Sequence, residues 1–456
     1  MNVSDATKNE YRSSSVHKNL TIKFPELGLT IDNTKIYQES MKLKESILEK
    51  NNIEFVGCIA SSFSVQIQGL KEDVKGKKIE ASITTDGSTD EPIPLFHGIV
   101  DSAVLQDNRL SKTITAYDIL YTKGNTEVSG WYNSLTFPIS IKQFRDSLFT
   151  YLGITQDETS LVNDDISISK QYDPKTLKAL NVIKAICQIN GVFGIINRDG
   201  IFEYRTTQSG LYPSGNLYPS NDLYPFSGEE TELTEEEVAE AMQYYKKIRY
   251  EEFKVKPVDK ITIRQNENDA GVTYGSGTNN YIIQGNMFTY GLSNETLLQM
   301  AQNIYPYVEG YSYYPFQASN MGLPFVECGV DILSYKVRNL DTGETEKKYY
   351  NVFSRELSGI QALSDSYTAK GEEYQSEFIT DLQTSIDLIK QQEKQYQEKF
   401  NSYDNQFGDI DNRLTALESG GGGGGGGGIN IVSVASLPAN PDSNTVYLIQ
   451  GIVVVE

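Results

Sequence analysis

The stretch LFHGIVDSAVLQDNRLSKTITAYDILY, residues 95–121, decides the fold class. Apolar and polar residues alternate on both sides of a polar turn at Asp107 and Asn108, and this spacing predicts two antiparallel strands. The same alternation occurs upstream in KNLTIKFPELGLTI and SFSVQIQGL. The residues expected on the inward faces of those two segments are Leu20, Ile22, Phe24, Phe63, Val65 and Ile67. Many short strands separated by turns predict a small barrel or sandwich over residues 17–130.

Residues 131–247 are expected to form a mixed α/β segment. SIKQFRDSLFTYLGI predicts a helix that ends at Gly153, and TLKALNVIKAICQIN predicts a second that ends before Gly191. GVFGIINRDGIFEYR predicts a hairpin, and TEEEVAEAMQYYKKI, residues 234–248, an acidic helix. The apolar stripes of the first two helices are Ile141, Phe144, Leu148 and Leu152, and Leu177, Leu180, Ile183 and Ile186.

A threefold repeat lies within this segment, in GLYPSGNLYPSNDLYPFSG, residues 210–228. Its rings, Tyr212, Tyr218 and Tyr224, could stack against a cell-wall sugar. Alternatively, each Pro fixes its own φ and extends the preceding Tyr, while Asn, Gly and Ser make the turns. We interpret the repeat as a self-packed scaffold loop and keep sugar binding as the alternative.

Residues 248–371 return to β, with strands predicted in RYEEFKVKPVDKITIRQ, NYIIQGN and KKYYNVFSRELSGIQAL. Between them SNETLLQMAQNIYPYV predicts a helix with Ser293 as its N-cap and Glu295 in its first turn. We expect this region to be a second barrel domain.

A heptad repeat marks residues 372–419 as a coiled coil. Apolar residues recur at spacings of four and three, which are the a and d positions of a heptad. They are Tyr396, Phe400, Tyr403, Phe407, Ile410, Leu414 and Leu417. Phe378, Leu382, Ser385, Ile389 and Gln392 continue the pattern upstream, with a stutter before Tyr396. The alternative is one amphipathic helix packed on its own domain.

The pattern RLTALE closes this repeat. With Leu414 at a and Leu417 at d, Arg413 lies at g and Glu418 at e, so the arginine can reach a glutamate of the next helix. The pattern resembles a trimerisation motif of short parallel coiled coils, and it predicts a parallel homotrimer.

The chain then changes composition. Residues 420–428 are all glycine, which predicts a flexible tether or an extended segment packed among copies of itself. Residues 429–456 hold β-branched runs around one turn and predict a small β tip, too short to fold alone.

Composition limits the function further. With 40 basic and 61 acidic residues the net charge is −21, which disfavours nucleic-acid binding. The charge would suit a channel through which DNA slides, or simply keep the protein soluble. Three distant cysteines argue against a disulfide framework or a CxxC site. The arm at residues 1–16 is polar, and the sequence has no secretory or membrane-spanning segment, so we expect a soluble protein made in a cytoplasm.

Enzymatic chemistry is not predicted. The only histidines are His17, in the arm, and His97, inside an apolar strand. The sequence contains no HExxH, GxSxG, P-loop or zinc-binding cluster. The acidic stretches LVNDDISIS and QNENDAG do not match a calcium loop. We therefore expect no catalytic residue, cofactor or metal.

The order of these parts resembles the hub proteins of tailed-phage baseplates, which close the tail tube, of the kind found in phages of Gram-positive bacteria. The resemblance covers about residues 17–372 and rests on four stretches. They are LFHGIVDSAVLQDNRLSKTITAYDIL, GVFGIINRDGIFEYR, GLPFVECGVDILSYKV and YYNVFSRELSGIQALSDSYTAKGEE. LPANPDSNTVYLIQG is similar to the tips of phage tail fibres.

Residues and resemblance together predict an α+β, mainly β fold. Two tube-like β-barrel domains bracket the mixed segment, and a trimeric coiled coil, polyglycine and a β tip follow. The resemblance implies a homotrimeric virion protein, assembled in the host cytoplasm, that matches a sixfold tail-tube ring above to a threefold spike or fibre below. It implies contact with other baseplate proteins, a tape measure protein in the lumen and the host cell surface, with phage DNA in transit. A receptor-binding fibre with a carbohydrate-binding tip and a tail-associated cell-wall hydrolase are the alternatives.

Overall fold

The computed structural model describes most of the first 371 residues and short parts of the rest. The described residues are 3–13, 15–48, 57–170, 174–206, 245–251, 253–264, 269–309, 312–338, 343, 345–371, 377–381, 430–433, 445–449 and 452–454. The chain divides into two compact units, residues 1–386 and 387–456. Within the described ranges, no helix is long and apolar enough to cross a membrane.

In the described residues of the first β region, seven strands follow an N-terminal helix, α1 (Asp5–Arg12). The strands are β1 (Lys18–Phe24), β2 (Leu29–Ile31), β3 (Lys42–Ser46), β4 (Ser62–Gln68), β5 (Lys78–Thr85), β6 (Ile93–Leu105) and β7 (Ser111–Tyr117). All six residues predicted to face inward on β1 and β4 are fully buried, which confirms that prediction. The apolar faces of the seven strands meet in one core.

The predicted turn at Asp107 and Asn108 joins β6 and β7, which pair antiparallel from Leu105–Lys112 onward. The Asn108 Oδ1 accepts hydrogen bonds from the backbone N–H groups of Leu110 (2.9 Å) and Ser111 (3.2 Å). An Asn side chain that binds the backbone two residues on stabilises a tight turn, so the hairpin prediction is confirmed with its local cause.

Between the two β regions, the described residues contain the first two predicted helices and the predicted hairpin. The elements there are α2 (Ile119–Gly124), α3 (Ser129–Ser134), β8 (Ile139–Ser140), α4 (Ile141–Leu152), β9 (Ser167–Ile168), α5 (Ala179–Asn190), β10 (Phe193–Ile196) and β11 (Phe202–Arg205), of which α2 and the start of α3 lie before residue 131. Gly153 and Gly191 end α4 and α5 in the left-handed conformation, each with φ of 64°. The α4 stripe is buried as predicted, whereas Leu177 precedes α5 and Leu180 is half-buried.

The described residues of the second β region form one helix and further strands. They are β12 (Tyr245–Tyr250), β13 (Lys260–Arg264), β14 (Val272–Gly275), β15 (Asn280–Gln284), α6 (Asn294–Val308), β16 (Phe316–Met321), β17 (Ile332–Arg338), β18 (Thr345–Asn351), β19 (Ser354–Ser358), β20 (Ser364–Ala369) and β21 (Glu377–Asp381). Ser293 caps α6 by accepting from the N–H of Thr296 (3.3 Å), as predicted. The strands β14, β13, β15 and β21 form a four-stranded sheet against which α6 packs.

One 11-stranded sheet runs through both β regions. Its order from edge to edge is β12, β16, β20, β19, β3, β4, β7, β6, β5, β1, β2. The two regions join where β19 pairs antiparallel with β3, so that Arg355 lies opposite Glu45 and Leu357 opposite Leu43. The mainly β class is confirmed. Closure of either region into a barrel remains a prediction, because the order given by the described strands is open.

Two predicted helical segments are strands where the structure describes them. Tyr245–Tyr250, which includes the end of the expected acidic helix, pairs with Phe316–Met321. Its sequence YKKIRY contains two tyrosines and an isoleucine, residue types that are enriched in strands, so a strand is favoured once an edge is available. Glu377–Asp381, inside the expected coiled coil, instead pairs in parallel with Asn280–Gln284. A coiled coil beginning at residue 372 is therefore wrong for these five residues.

The second unit is described over three strands only. They are β22 (Asn430–Ser433), β23 (Thr445–Ile449) and β24 (Ile452–Val454). The first two pair in parallel and the last two antiparallel. The polyglycine run and the rest of the heptad segment lie outside the described residues.

The N-terminal arm, expected to be merely polar, forms helix α1 with Ser4 as its N-cap. On its inner face Tyr11 is fully buried in the first core and meets Phe325 of the second β region edge-on, with ring centroids 6.5 Å apart. The Tyr11 hydroxyl has no hydrogen-bond partner among the described residues. Burial and, to a lesser degree, Glu10 raise its pKa above the usual value of 10.0.

Tyr11 therefore allows two opposite outcomes to be predicted. Tyr11→Ala should lower the free energy of unfolding by about 3–5 kcal/mol, because it removes a buried ring. Tyr11→Phe should leave it unchanged or raise it by about 1 kcal/mol, because it removes a buried hydroxyl without a partner. Urea unfolding followed by the fluorescence of Trp131, the only tryptophan, measures both. A loss in Tyr11→Phe close to that in Tyr11→Ala would contradict this.

Candidate functional site

The predicted site residues lie outside the described part of the chain. They are the trimerisation residues Tyr396, Phe400, Tyr403, Phe407, Ile410, Arg413, Leu414, Leu417 and Glu418, and the loop residues Tyr212, Tyr218 and Tyr224. Their roles remain predictions.

The two histidines lie in unlike places. His17 is about half exposed, with its Nδ1 3.6 Å from the Asp86 Oδ1. His97 lies on β6 beside the β10–β11 turn, where a Cβ on Gly200 would be 2.8 Å from the His97 Nδ1. Across the described ranges, no group of three or more His, Cys, Asp or Glu side chains is placed to hold a metal ion.

A buried cluster of charged side chains lies where the two β regions and the mixed segment meet. We call it the junction cluster, and its residues are Glu45, Arg198, Arg205, Arg355 and Asp365. Glu45 comes from β3, Arg198 from the β10–β11 turn, Arg205 from the end of β11, Arg355 from β19 and Asp365 from β20. All five are buried, with exposed fractions of 8% or less.

Glu45 is shared by two arginines from different regions. The Arg198 Nε and Nη2 lie 3.3 and 3.2 Å from the Glu45 Oε1 and Oε2. The Arg355 Nη1 donates to the same Oε2 at 3.4 Å. One carboxylate of the first β region therefore binds both the mixed segment and the second β region.

Asp365 completes the charge balance around Arg355. The Arg355 Nε and Nη2 donate to its Oδ1 and Oδ2 at 2.8 and 3.0 Å, a bidentate pair. The Oδ2 also accepts from the Tyr367 hydroxyl (2.7 Å) and from the backbone N–H of Leu323 (2.8 Å). Every carboxylate oxygen of Glu45 and Asp365 thus has a donor.

The remaining arginine donors hold the loop after β16. The Arg198 Nη2 donates to the carbonyl of Val326 (2.6 Å) and the Arg355 Nη2 to that of Leu323 (2.6 Å). The Arg205 Nη1 donates to the carbonyl of Cys328. Three guanidinium groups therefore supply the donors that this loop lacks from secondary structure.

Electrostatics favour the ionised form of each group whose pKa shifts. Burial alone would raise the pKa of Glu45, but Arg198 and Arg355 outweigh it and hold that pKa below the usual 4.5. Burial alone would lower the pKa of Arg355, yet Asp365 raises it overall. Arg205 also has a raised pKa, against burial, because of Glu203 and Glu327. Each oxygen of the Glu45 and Asp365 carboxylates already accepts a hydrogen bond, so neither carboxylate is open for proton transfer.

The junction cluster was not predicted from the sequence, although two strand sequences contain a local signal for it. In KLKES the buried residues are Leu43 and Glu45, and in SRELS they are Arg355 and Leu357. A charged residue in phase with a buried leucine on an alternating strand indicates an inward-facing charge that needs a partner. Neither pattern identifies that partner.

The chain was also compared with known proteins. No protein-family model matches it, and no curated protein matches it with a significant score. Among solved structures, it is similar to a tail protein from Neisseria meningitidis MC58, with a TM-score of 0.44 and 11% identity over 78% of this chain and 97% of that one. It is similar to the 43 kDa tail protein of prophage MuSo2 from Shewanella oneidensis, with a TM-score of 0.44 and 10% identity over 77% of this chain and 96% of that one. It is also similar to prophage tail protein gp18 from Listeria monocytogenes EGD-e, with a TM-score of 0.43 and 12% identity over 77% of this chain and 95% of that one. With TM-scores below 0.5, these likenesses establish neither a shared fold nor a shared function.

Removing the shared carboxylate should destabilise the chain strongly. Glu45→Gln leaves two buried guanidinium groups short of their counter-charge, and we expect the free energy of unfolding to fall by about 3–5 kcal/mol. The matched control is Glu356→Gln, which breaks an exposed pair with Lys44 (3.2 Å) on the same two strands. An exposed pair contributes about 0–1 kcal/mol. Equal losses in the two variants would contradict a role for the buried cluster.

The wild type and Glu45→Gln should also differ in how their stability depends on pH. Because the folded pKa of Glu45 lies below its unfolded value of 4.5, its contribution is present above that pH and is lost as the pH falls through the folded pKa. The stability difference between wild type and Glu45→Gln should therefore be constant from pH 8 to about 5 and shrink on further acidification. Urea midpoints across this range measure it. A difference that grows as the pH is lowered would contradict the assignment.

Proposed function

We propose that this chain is a structural protein of a phage tail, a homotrimeric hub that closes the tail tube and carries a spike or fibre. One observation carries the proposal most directly. The two β regions of a single chain share one 11-stranded sheet, joined at β3 and β19 and fixed by the junction cluster. A chain with two linked β modules is suited to form the wall of a tube from a small number of copies.

Symmetry relates two β modules per chain to the wall of a tube. Three copies that each supply two β modules present six modules around one axis, which suits a sixfold ring on one side. A threefold stalk on the same axis suits a trimeric spike or fibre on the other. The junction cluster serves this role because it keeps the two modules of one chain from rotating against each other.

The C-terminal sequence supplies the threefold element. The heptads from Tyr396 to Leu417 end in frame with Arg413 and Glu418, the pattern typical of parallel trimers. Polyglycine then connects this stalk to the strands of the second unit, which three copies would complete into a shared core.

The partners follow from this placement. A distal tail or tail-tube ring protein lies above the hub, and a spike, fibre or other baseplate protein lies below. A tape measure protein occupies the lumen before ejection, and DNA passes through it afterwards. The net charge of −21 suits a lumen from which a polyanion is repelled. Host attachment then takes place at the distal end.

Oligomeric state tests the stalk directly. The purified chain should have the mass of three copies by light scattering, and electron microscopy should show a ring with one central stalk. Leu414→Asp combined with Leu417→Asp should reduce the mass to that of one copy, because it buries charges in the seam. Thr415→Asp places the same charge at an outward b position and should leave the trimer intact.

Other outcomes would favour the alternatives. A monomeric wild-type chain would overturn the hub. A thin trimeric rod without a ring, with wall polysaccharide bound at the tip or at Tyr212, Tyr218 and Tyr224, would favour a receptor-binding fibre. Clearing of host cell walls in a zymogram would favour a hydrolase.

A further inference from the structure

Two cysteines that are 129 positions apart in the chain come together in the core. The Sγ atoms of Cys58 and Cys187 are 3.5 Å apart, and the two residues are 2% and 0% exposed. Cys58 precedes β4 in the first β region, whereas Cys187 lies on α5 of the mixed segment. Their wide spacing in sequence predicted no such pairing.

The surrounding backbone holds the two thiols in place. Cys58 forms an isolated β-bridge with Gly194, and the Gly57 carbonyl accepts from the Gly194 N–H at 3.0 Å. A Cβ on Gly194 would lie only 2.8 Å from the Cys58 Sγ, so the glycine leaves the room that this sulfur occupies. Cys187 is fixed from the other side by α5, which is buried along nearly its whole length.

We propose that Cys58 and Cys187 form a disulfide site that closes when the chain meets a hydroperoxide oxidant. One thiol loses its proton, and the thiolate attacks a peroxide oxygen and becomes a sulfenic acid, while the departing hydroxide takes up that proton and leaves as water. The second thiolate attacks that sulfur, and the hydroxide it displaces takes up the released proton to give a second water. Two thiols and one hydrogen peroxide thus yield one disulfide and two waters.

Burial of the thiols makes this closure slow. Burial, and next the neighbouring Cys58, raise the pKa of the Cys187 thiol, so little thiolate exists at neutral pH. The third cysteine, Cys328, is also buried, with its Sγ 3.6 Å from the backbone carbonyl of Glu45. Burial raises its thiol pKa as well.

The closure has a physical consequence for the hub. A reducing cytoplasm keeps thiols open during assembly, whereas a released virion enters an oxidising medium. The bond would then tie the first β region to the mixed segment covalently. This consequence rests on the proposed function, but the bond itself is tested on the isolated chain, so the two can fail separately.

Peptide mapping of the full-length chain tests the site. Protein purified with a reductant, then freed of it, is treated with hydrogen peroxide and digested with trypsin without reduction. We expect a linked species that joins peptides 51–71 and 185–198, and a fall in titratable thiols from three to one. The melting temperature should rise by about 5–10 °C and return when reductant is added, because the bond closes a long loop.

Variants that each lack one cysteine distinguish this disulfide from other products of cysteine oxidation. Cys328→Ser should still form the linked peptides and lose both remaining thiols. Cys58→Ser and Cys187→Ser should each keep both of theirs and show no reversible rise in melting temperature. Were either variant to misfold, the map of wild type and Cys328→Ser would decide alone. Three unreacted thiols, sulfinic acid without a cross-link, or a bond to Cys328 or to a second chain would each overturn the proposal.

Discussion

The shared carboxylate of Glu45 is the interaction on which the arrangement of the described regions depends. It binds Arg198 of the mixed segment and Arg355 of the second β region at once, in a place where all three are nearly inaccessible to water. Taking such charges out of water costs several kcal/mol per ion, and well-packed apolar residues of similar volume are often at least as stable. We infer that the gain is one of specificity, since the three segments satisfy these charges together in this mutual arrangement.

The apolar contacts around the cluster are less selective. Leucine, isoleucine and valine side chains on alternating strands pack acceptably in many alignments, because the hydrophobic effect has no direction. The two cores meet at this place, with Phe325 half-buried against both and Tyr11 of α1 covering it from the first region. Loss of the ionic contacts would leave these surfaces attractive but without a fixed orientation.

The local features were predictable from sequence because each has a local cause. Leu20, Ile22 and Phe24 repeat with a period of two, and Gly153 and Gly191 end helices because they adopt positive φ readily. The junction was not predictable in the same way, since Glu45 and Arg355 are 310 positions apart and no periodicity relates them. The strand Glu377–Asp381 was missed for a related reason. Its Phe378 also fits a heptad position, and only the edge of β15, a tertiary feature, favours the extended form.

The pairing of β3 with β19 shows why a buried charge is useful there. A slip of one residue would place Glu356 opposite Glu45, or Arg355 opposite Lys44, and like charges would meet. A slip of two residues keeps every leucine on the inner face, so the apolar pattern cannot reject it. That slip would put Arg355 opposite Leu43 or Ile47 and leave both it and Glu45 buried without each other. The register that joins the two β regions is thus selected by like-charge repulsion against slips of one residue and by the buried ion pair against slips of two.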